Sequence, residues 1–438
     1  MKSYSRFLMI AFGFLFLVNC HQKHKLTIKD ADILHHNEDQ LTQVIIYDIF
    51  TPPVAARIYA YSSLASYEAI RFAKPGNPSL AEKLNGFGVM PQPEKGKKYD
   101  YTLAATKAFF TVVRDVKVFS VDSLKNYEET MYSLYKDALD EETYQASLSF
   151  GEAIGRKILA RAAVDNYPQS RGKPRFIGSN EPGKWHPTPP DYLDGVESCW
   201  GTMKTFAIDT GSQFMIPPPP PFSTDTTSIF YRANIEVYNI NKNLTAEQKT
   251  IARYWDDNPF VIEHSGHMMF GNKKITPGGH WMGITAIACK QTDADAVKTA
   301  KAYALTAIGL FDAFVACWDE KYRSDFIRPV SFIDENIDHG WVPFLQTPPF
   351  PEYPSGHSAI TRSAATILTH LFGDNFSFQD TSDLRYIGMQ RHFDSFLQAA
   401  NEASISRVYG GIHYLNSVNA GADQGRRVAE FIIKKLEL

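Results

Sequence analysis

Apolar residues recur three and four apart along most of the chain, the spacing of one helical face, and strict alternation is sustained nowhere. Helices are predicted from about 41 to 72, interrupted at Pro52-Pro53 and closed by Lys74-Pro75-Gly76, then over about 102–115, 122–139 and 142–165. From about 167 to 226 the pattern breaks down: Pro, Gly, Ser and Trp accumulate, and the run Pro217 to Pro221 must be extended. Sixty residues without periodicity are unusual inside a domain. Trp185, Tyr192, Trp200, Phe206 and Phe214 within them predict an ordered cover packed on the helices rather than a free linker. Helical spacing resumes over about 227–241, 245–256 and 279–291, with a turn at Thr276-Pro277-Gly278-Gly279, and then over a long run from about Asp295 to Lys321. A Pro-rich loop follows Arg328-Pro329 as far as Pro354. The last helices are predicted from near Ser355 to Gly373, over about 383–407 and over about 418–436. The fold class is all-α, built from helical bundles without an internal repeat.

Composition adds bounds rather than a function. With 438 residues, 44% of them hydrophobic and 13% aromatic, the chain can bury a large core in one large or two smaller domains. A formal net charge of -3 gives no global reason for a nucleic-acid partner, so any anion binding must come from local clusters. Lys2 and Arg6 precede the apolar run Phe7 to Val18, which has the form of an export signal and is short of the roughly 20 residues of a membrane span. Leu17-Val18-Asn19-Cys20 resembles a bacterial lipoprotein cleavage box with Cys20 as the lipidated residue, although Asn19 stands where a small residue is usual. The expected organisation is a signal peptide over 1–20, a polar tether over 21–40 and a helical region over 41–438. The protein is expected to be exported in a bacterium, periplasmic or held to a membrane only through a lipid on Cys20. Cys199, Cys289 and Cys317 are too widely spaced for a metal pattern, and Cys317, in an apolar run, reads as a buried free thiol. The apolar run around Leu305 to Cys317 carries Asp312, which argues against a span.

Three short pieces carry chemistry. Lys321 and Arg328 are seven apart, so a continuous helix would project them from nearly one face, but Pro329 pushes Arg328 towards an extended conformation and the helix should end between them. Together they offer a point charge and a planar fork of donors, a pairing suited to a tetrahedral oxyanion. In Pro354-Ser355-Gly356-His357, Ser355 is a good N-cap, Gly356 permits close approach, and the first-turn amides make an anion site with His357 beside it to pass a proton. Arg407 and His413 are six apart, and Gly410-Gly411 lets the chain turn so that both can point inward. A neutral imidazole there can attack phosphorus or bind a metal centre. Glu263-His264-Ser265-Gly266-His267 has a weaker, metal-like look without a third ligand at a usual spacing.

Taken together, Lys321-x6-Arg328-Pro329, Pro354-Ser355-Gly356-His357 and Ser406-Arg407-x5-His413 resemble the signature of the type 2 phosphatidic acid phosphatase and vanadium-dependent haloperoxidase superfamily. That resemblance implies an all-α bundle with the anion site in 318–417. Lys321, Arg328 and Arg407 would hold the equatorial oxygens of vanadate or phosphate, with the Ser355 and Gly356 amides assisting. His413 would be the axial ligand of vanadium or the phosphate nucleophile, and His357 the general acid/base. The signature ends with Asp four residues after the second His, where this chain has Ser417; Asn416, Asn419 or Asp423 are candidates to replace it. Trp318 and Phe350, as a halide pocket, make the chain similar to the bacterial vanadium chloroperoxidase-like branch. The implied cofactor is vanadate, with phosphate competing, and the implied substrates are hydrogen peroxide and halide. Two alternatives stand beside this: an exported acid phosphatase acting on a phosphate ester through a phosphohistidine, and an anion-binding lipoprotein without turnover, which Ser417 motivates.

Overall fold

The computed structural model describes residues 26–438 apart from Lys117, Gly266, His267 and Asn272, and apart from the side chains of residues 262–265 and 268–271. The expectations for the signal segment 1–20 and for the Glu263 to His267 side chains therefore lie outside the described residues. Fifteen α-helices are present among those described. They are α1 (Asp30–Tyr47), α2 (Pro52–Ile70), α3 (Tyr101–Asp115), α4 (Val121–Ala138), α5 (Glu141–Ala162), α6 (Tyr167–Arg171), α7 (Ile229–Lys242) and α8 (Ala246–Tyr254). After these come α9 (Pro277–Gln291), α10 (Ala296–Ser324), α11 (Pro329–Asn336), α12 (Gly356–Phe372), α13 (Leu384–Ile387), α14 (Phe396–Tyr409) and α15 (Leu415–Leu436). Two short antiparallel ribbons complete the set: β1 (Ile262–Ser265) with β2 (Met268–Gly271), and β3 (Phe378–Asp380) with β4 (Arg391–Phe393).

The all-α expectation holds, with three local corrections, the first being that the loop expected from Arg328-Pro329 to Pro354 opens with helix α11, which Pro329 starts at its first position. The polar tether expected over 21–40 is wrong from Asp30 onward, because α1 starts there and buries Ile33, Leu34, His35, Asn37 and Glu38. Its inward face mixes polar with apolar residues, which hides the helical period. The single helix expected over 383–407 is interrupted: α13 ends at Gly388, which adopts a left-handed conformation (φ 70°), and Arg391–Phe393 pairs as a strand before α14 begins.

The architecture is organised around α10. It packs on α2, α12, α9 and α15, and α2 is buried along its whole length. Although α10 is long and apolar enough to cross a membrane, it is almost entirely covered by the rest of the fold. Its fully buried acid Asp312 accepts hydrogen bonds from the backbone N–H groups of Phe206 (2.8 Å), Ala207 (2.7 Å) and Ile208 (3.0 Å). Burial pushes this carboxyl up to about 6, and the three amides offset part of that. The irregular segment 167–226 is thereby fixed to α10 as an ordered cover, with Trp185, Trp200 and Phe206 fully buried. All three described cysteines are free, and Cys289 and Cys317 are buried.

Helix α15 crosses α12 so closely that only glycine fits at the contact. A Cβ on Gly425 would lie 1.9 Å from the Ala359 carbonyl oxygen. Gly425→Ala must push the two helices apart beneath the Ser355 turn, and is expected to cost about 3 kcal/mol. Urea unfolding of the variant would read this as a lower midpoint at unchanged slope.

Candidate active site

Helix α10 ends at Ser324, with Asp325 in the left-handed region (φ 49°), and the chain turns so that Arg328 caps α11 in an extended conformation. This is the break expected between Lys321 and Arg328. The following strand-like backbone is held from both sides: Ile327 N–H donates to Gly183 O (3.0 Å), and Glu352 N–H donates to Phe326 O (2.9 Å). The Pro-rich loop is thus laid along the end of α10, and its Glu352 side chain points into the protein interior.

Arg328, Arg407 and His413 converge there, all at 2% exposure or less. Arg328 donates from Nε to Phe350 O (2.9 Å) and from Nη1 to Ile412 O (2.8 Å) and His413 Nε2 (3.2 Å). On the other side of the ring, His413 Nδ1 lies 2.7 Å from Glu352 Oε1. A guanidinium only donates and a carboxylate only accepts, so the proton sits on Nδ1 and the Nε2 lone pair faces Arg328. Glu352 is completed by Tyr414 N–H on Oε1 (3.0 Å) and Ser417 Oγ on Oε2 (2.6 Å). Burial raises its carboxyl to about 7, against the pull of Ser417, Arg328, Lys321 and the Tyr414 amide.

This carboxylate fills the role for which Asn416, Asn419 and Asp423 were candidates. None of those three does so: Asn419 is exposed, Asp423 pairs with Arg426 and Arg427 on the surface, and Asn416 Oδ1 has no partner among the described residues. The residue between Pro351 and Tyr353 escaped sequence reading because its partner is 61 positions away. Its only signal was an acid inside an otherwise apolar, Pro-rich approach to Ser355-Gly356-His357.

Ser355 caps α12 as expected, its Oγ accepting from Ser358 N–H, but its own amide donates to Ser417 O (3.1 Å). The expectation that the Ser355 amide faces the anion is therefore corrected; the Gly356 amide, at the start of α12, is the one left to the helix N-terminus. Lys321 is fully buried and donates from Nζ to Pro351 O and Glu352 O (both 3.0 Å) and to Pro354 O. All three of its protons are engaged with the backbone, so it stands behind the wall of the site as a buried charge that shapes the loop. Burial lowers its ammonium to about 7.

A narrow cleft of about 30 Å³ opens in front of these groups, lined among others by Trp318, Phe350, Gly356, His357, Arg407 and His413. His357 Nε2 is buried and has no partner among the described residues, and neither has Arg328 Nη2. Burial, reinforced by neighbouring cations, holds both His357 and His413 well below the usual imidazole range, so both rings are neutral near pH 7. Trp318 and Phe350 face each other at 5.0 Å between ring centroids, and Trp318 Nε1 is tied to Val196 O of the cover (3.2 Å). Cations with spare donors, an imidazole lone pair and a helix N-terminus in one buried place suit a tetrahedral oxyanion that bonds to nitrogen.

Residues 301–437 match the model of the second helical-bundle domain of vanadium chloroperoxidase. The fold resembles a solved bacterial vanadium-dependent iodoperoxidase with a TM-score of 0.88 and 40% identity, over 94% of this chain and 98% of that one. The chain belongs to the vanadium-dependent haloperoxidase family. A bacterial vanadium-dependent chloroperoxidase in its holo form has the same fold, with a TM-score of 0.67 at 19% identity over 89% of this chain and 93% of that one. The vanadium chloroperoxidase of Curvularia inaequalis is 25% identical over 177 residues, 28% of this chain and 29% of that protein. In this haloperoxidase Glu352 supplies the carboxylate behind the histidine, so an acid at 417 would be superfluous. Ser417→Asp sets a second carboxylate against Glu352 and is expected to lower vanadate-dependent turnover by about tenfold or more, because two buried like charges cannot both ionise. A gain in turnover would show that Glu352 does not hold that role.

Proposed function

We propose that the chain is a vanadate-dependent haloperoxidase that uses hydrogen peroxide to oxidise a halide, iodide first among them. The observation that carries this reading is the His413 ring, held between the Glu352 carboxylate and the Arg328 guanidinium with its Nε2 lone pair kept free of protons. The relative at 40% identity, an iodoperoxidase, supports iodide as the halide.

Bound vanadate supplies a centre that makes peroxide susceptible to attack by halide, without a haem or a redox cysteine. His413 Nε2 would hold the vanadium, while Arg328 and Arg407 hold its oxygens and the start of α12 adds its positive end. Lys321 contributes from behind, as charge and as the anchor of the loop carrying Glu352 and Gly356. Oxidation of halide to hypohalous acid by peroxide takes up one proton and releases water. His357, neutral and unpaired in the cleft, is the group able to accept a proton from peroxide and return one to the departing oxygen. Trp318 and Phe350 present aromatic surface that strips water from a weakly hydrated halide. Phosphate has the same shape and charge and would compete.

Export belongs to the same proposal and is supported by Lys2, Arg6 and the run Phe7 to Val18, with Cys20 as the lipid acceptor. An unmodified Cys20 in protein taken from the producing cells would remove the lipid anchor from it.

The test of the activity is iodide oxidation by purified residues 21–438 in phosphate-free buffer with peroxide, before and after orthovanadate. Turnover that appears on adding orthovanadate and is suppressed by phosphate is expected. Absence of iodide oxidation, with orthovanadate instead blocking phosphate release from an ester, would contradict the reading and favour a phosphatase.

A further inference from the structure

Outside the anion site, the densest cluster of buried charge surrounds His280 on the first turn of α9. Its Nδ1 lies 3.1 and 3.2 Å from the two oxygens of Asp257, and its Nε2 lies 3.0 Å from Asp380 Oδ2. All three side chains are at most 2% exposed. An imidazole with a carboxylate on each nitrogen can satisfy both only as the doubly protonated cation. Burial acts against that charge, yet Asp257 and Asp380 hold the ring well above its ordinary range.

The two carboxylates come from different places. Asp380 ends β3, whereas Asp257 sits just after α8 in a left-handed conformation (φ 41°) that a non-glycine residue adopts only when held. The same short segment supplies the partners of Arg407, whose Nη1 donates to Asp256 O (3.3 Å) and whose Nη2 donates to Trp255 O. Its Nε donates to Ser406 Oγ (3.0 Å). Arg407 is therefore aimed by neutral oxygens and keeps its charge for a ligand. The His280 ring also stacks on Trp255, at 4.5 Å between centroids and 17° between planes. Trp255 Nε1 also donates to Glu402 Oε1 (3.0 Å) and Lys274 pairs with the Asp256 carboxylate, so His280 adds the stacked ring and the Asp257 bridge to a segment anchored at its other side chains.

We propose that His280 is a positioning residue: bridging Asp380 to Asp257, it clamps the segment that aims Arg407 and so sets the affinity of the site for a tetrahedral oxyanion. This rests on Arg407 being an anion ligand, as the proposed function has it. His280 never meets the anion; it acts at the distance of one stacked ring and one backbone segment, as partners behind a ligand commonly do.

The experiment is calorimetric titration of the vanadate-free full chain with inorganic phosphate and with orthovanadate, for the wild type, Arg407→Ala, His280→Gln and Asp380→Asn. Asp380 is outside the lining of the cleft, and its side chain meets His280 Nε2 and the Ser382 amide. His280→Gln is expected to weaken both anions by roughly 10- to 100-fold and Asp380→Asn by a smaller factor, with cooperative thermal unfolding retained. Turnover at saturating orthovanadate should change far less than affinity, which a general loss of structure would not produce. If His280→Gln does not fold, Asp380→Asn carries the test. Wild-type affinity in His280→Gln and Asp380→Asn, with affinity lost in Arg407→Ala, would overturn the clamp alone. Undiminished affinity in Arg407→Ala would instead remove the anion-site reading beneath it. Asp257, His280 and Asp383 also bring ligand atoms within 4.8 Å of one another. One equivalent of a divalent metal in the purified wild type, lost in Asp383→Asn, would overturn the clamp in favour of a metal centre.

Discussion

Glu352→Gln is expected to lose 10- to 100-fold in vanadate affinity and turnover together, while remaining at least as stable as the wild type at pH 8. The loss follows from the His413 tautomer. The carboxylate accepts the Nδ1 proton at 2.7 Å and so directs the lone pair of Nε2 into the site. An amide can turn its NH₂ towards Nδ1 and favour the opposite tautomer, and even with its oxygen there it is a poorer acceptor. The stability expectation has the opposite sign for a separate reason. Burial raises the Glu352 carboxyl to about 7, so the folded state holds its proton more tightly than the unfolded state does. Stability from this group is present at low pH and is lost as pH rises from the ordinary carboxylate range through about 7. The glutamine variant has no such titration, and the gap between the two proteins should shift in its favour from pH 5 to pH 8. Thermal unfolding and orthovanadate titration across that range check both halves. A variant that unfolds early and binds orthovanadate normally would reverse the assignment of Glu352.

His413→Ala is expected to be the most damaging single change, lowering vanadate-dependent iodide oxidation on the order of a thousandfold or more, as removal of an essential catalytic group does. The fold should survive, because Glu352 keeps the Tyr414 amide and Ser417, and Arg328 keeps the Ile412 carbonyl. Burial, with Arg328, Lys321 and Arg407 nearby, holds the His413 pKa well below 6.5. Protons therefore do not compete for Nε2 near neutrality, and this histidine should contribute no rise in orthovanadate affinity between pH 6.5 and 8. A steep rise over that range that persists in Glu352→Gln, where no carboxyl titrates behind the ring, and is abolished in the alanine variant would show that the ring is protonated where it is held here to be neutral.

Much of the fold was legible because helices that bury one face repeat their apolar residues locally, as α3, α5 and α15 do, while α10, covered nearly all round, shows as a long apolar run. What was lost depended on partners far along the chain. The part of α1 before Leu41 escaped because its inward face includes His35, Asn37 and Glu38, satisfied by Tyr303, Thr106 and Ser63. The break before α14 escaped because β4 is only three residues long and owes its form to pairing with β3. In the site, three short pieces that resemble the family signature named Arg328, His357, Arg407 and His413, and the fold brings these four close together. Those pieces could not show that Lys321 and the Ser355 amide are spent on the backbone, nor that Glu352 and His280 stand behind the ligands. Those are properties of contacts between positions 23 to 100 residues apart.

The central claim is that vanadate is held by His413 between Arg328 and Arg407. It is tested most directly by a crystal structure of the protein soaked with orthovanadate in the absence of phosphate, with vanadium located by its anomalous signal. The account predicts one vanadium bonded to His413 Nε2, with its oxygens on the two arginines and at the start of α12. Vanadium bonded elsewhere, or a His413 ring turned so that Nδ1 faces the ion and the Glu352 contact is broken, would contradict it.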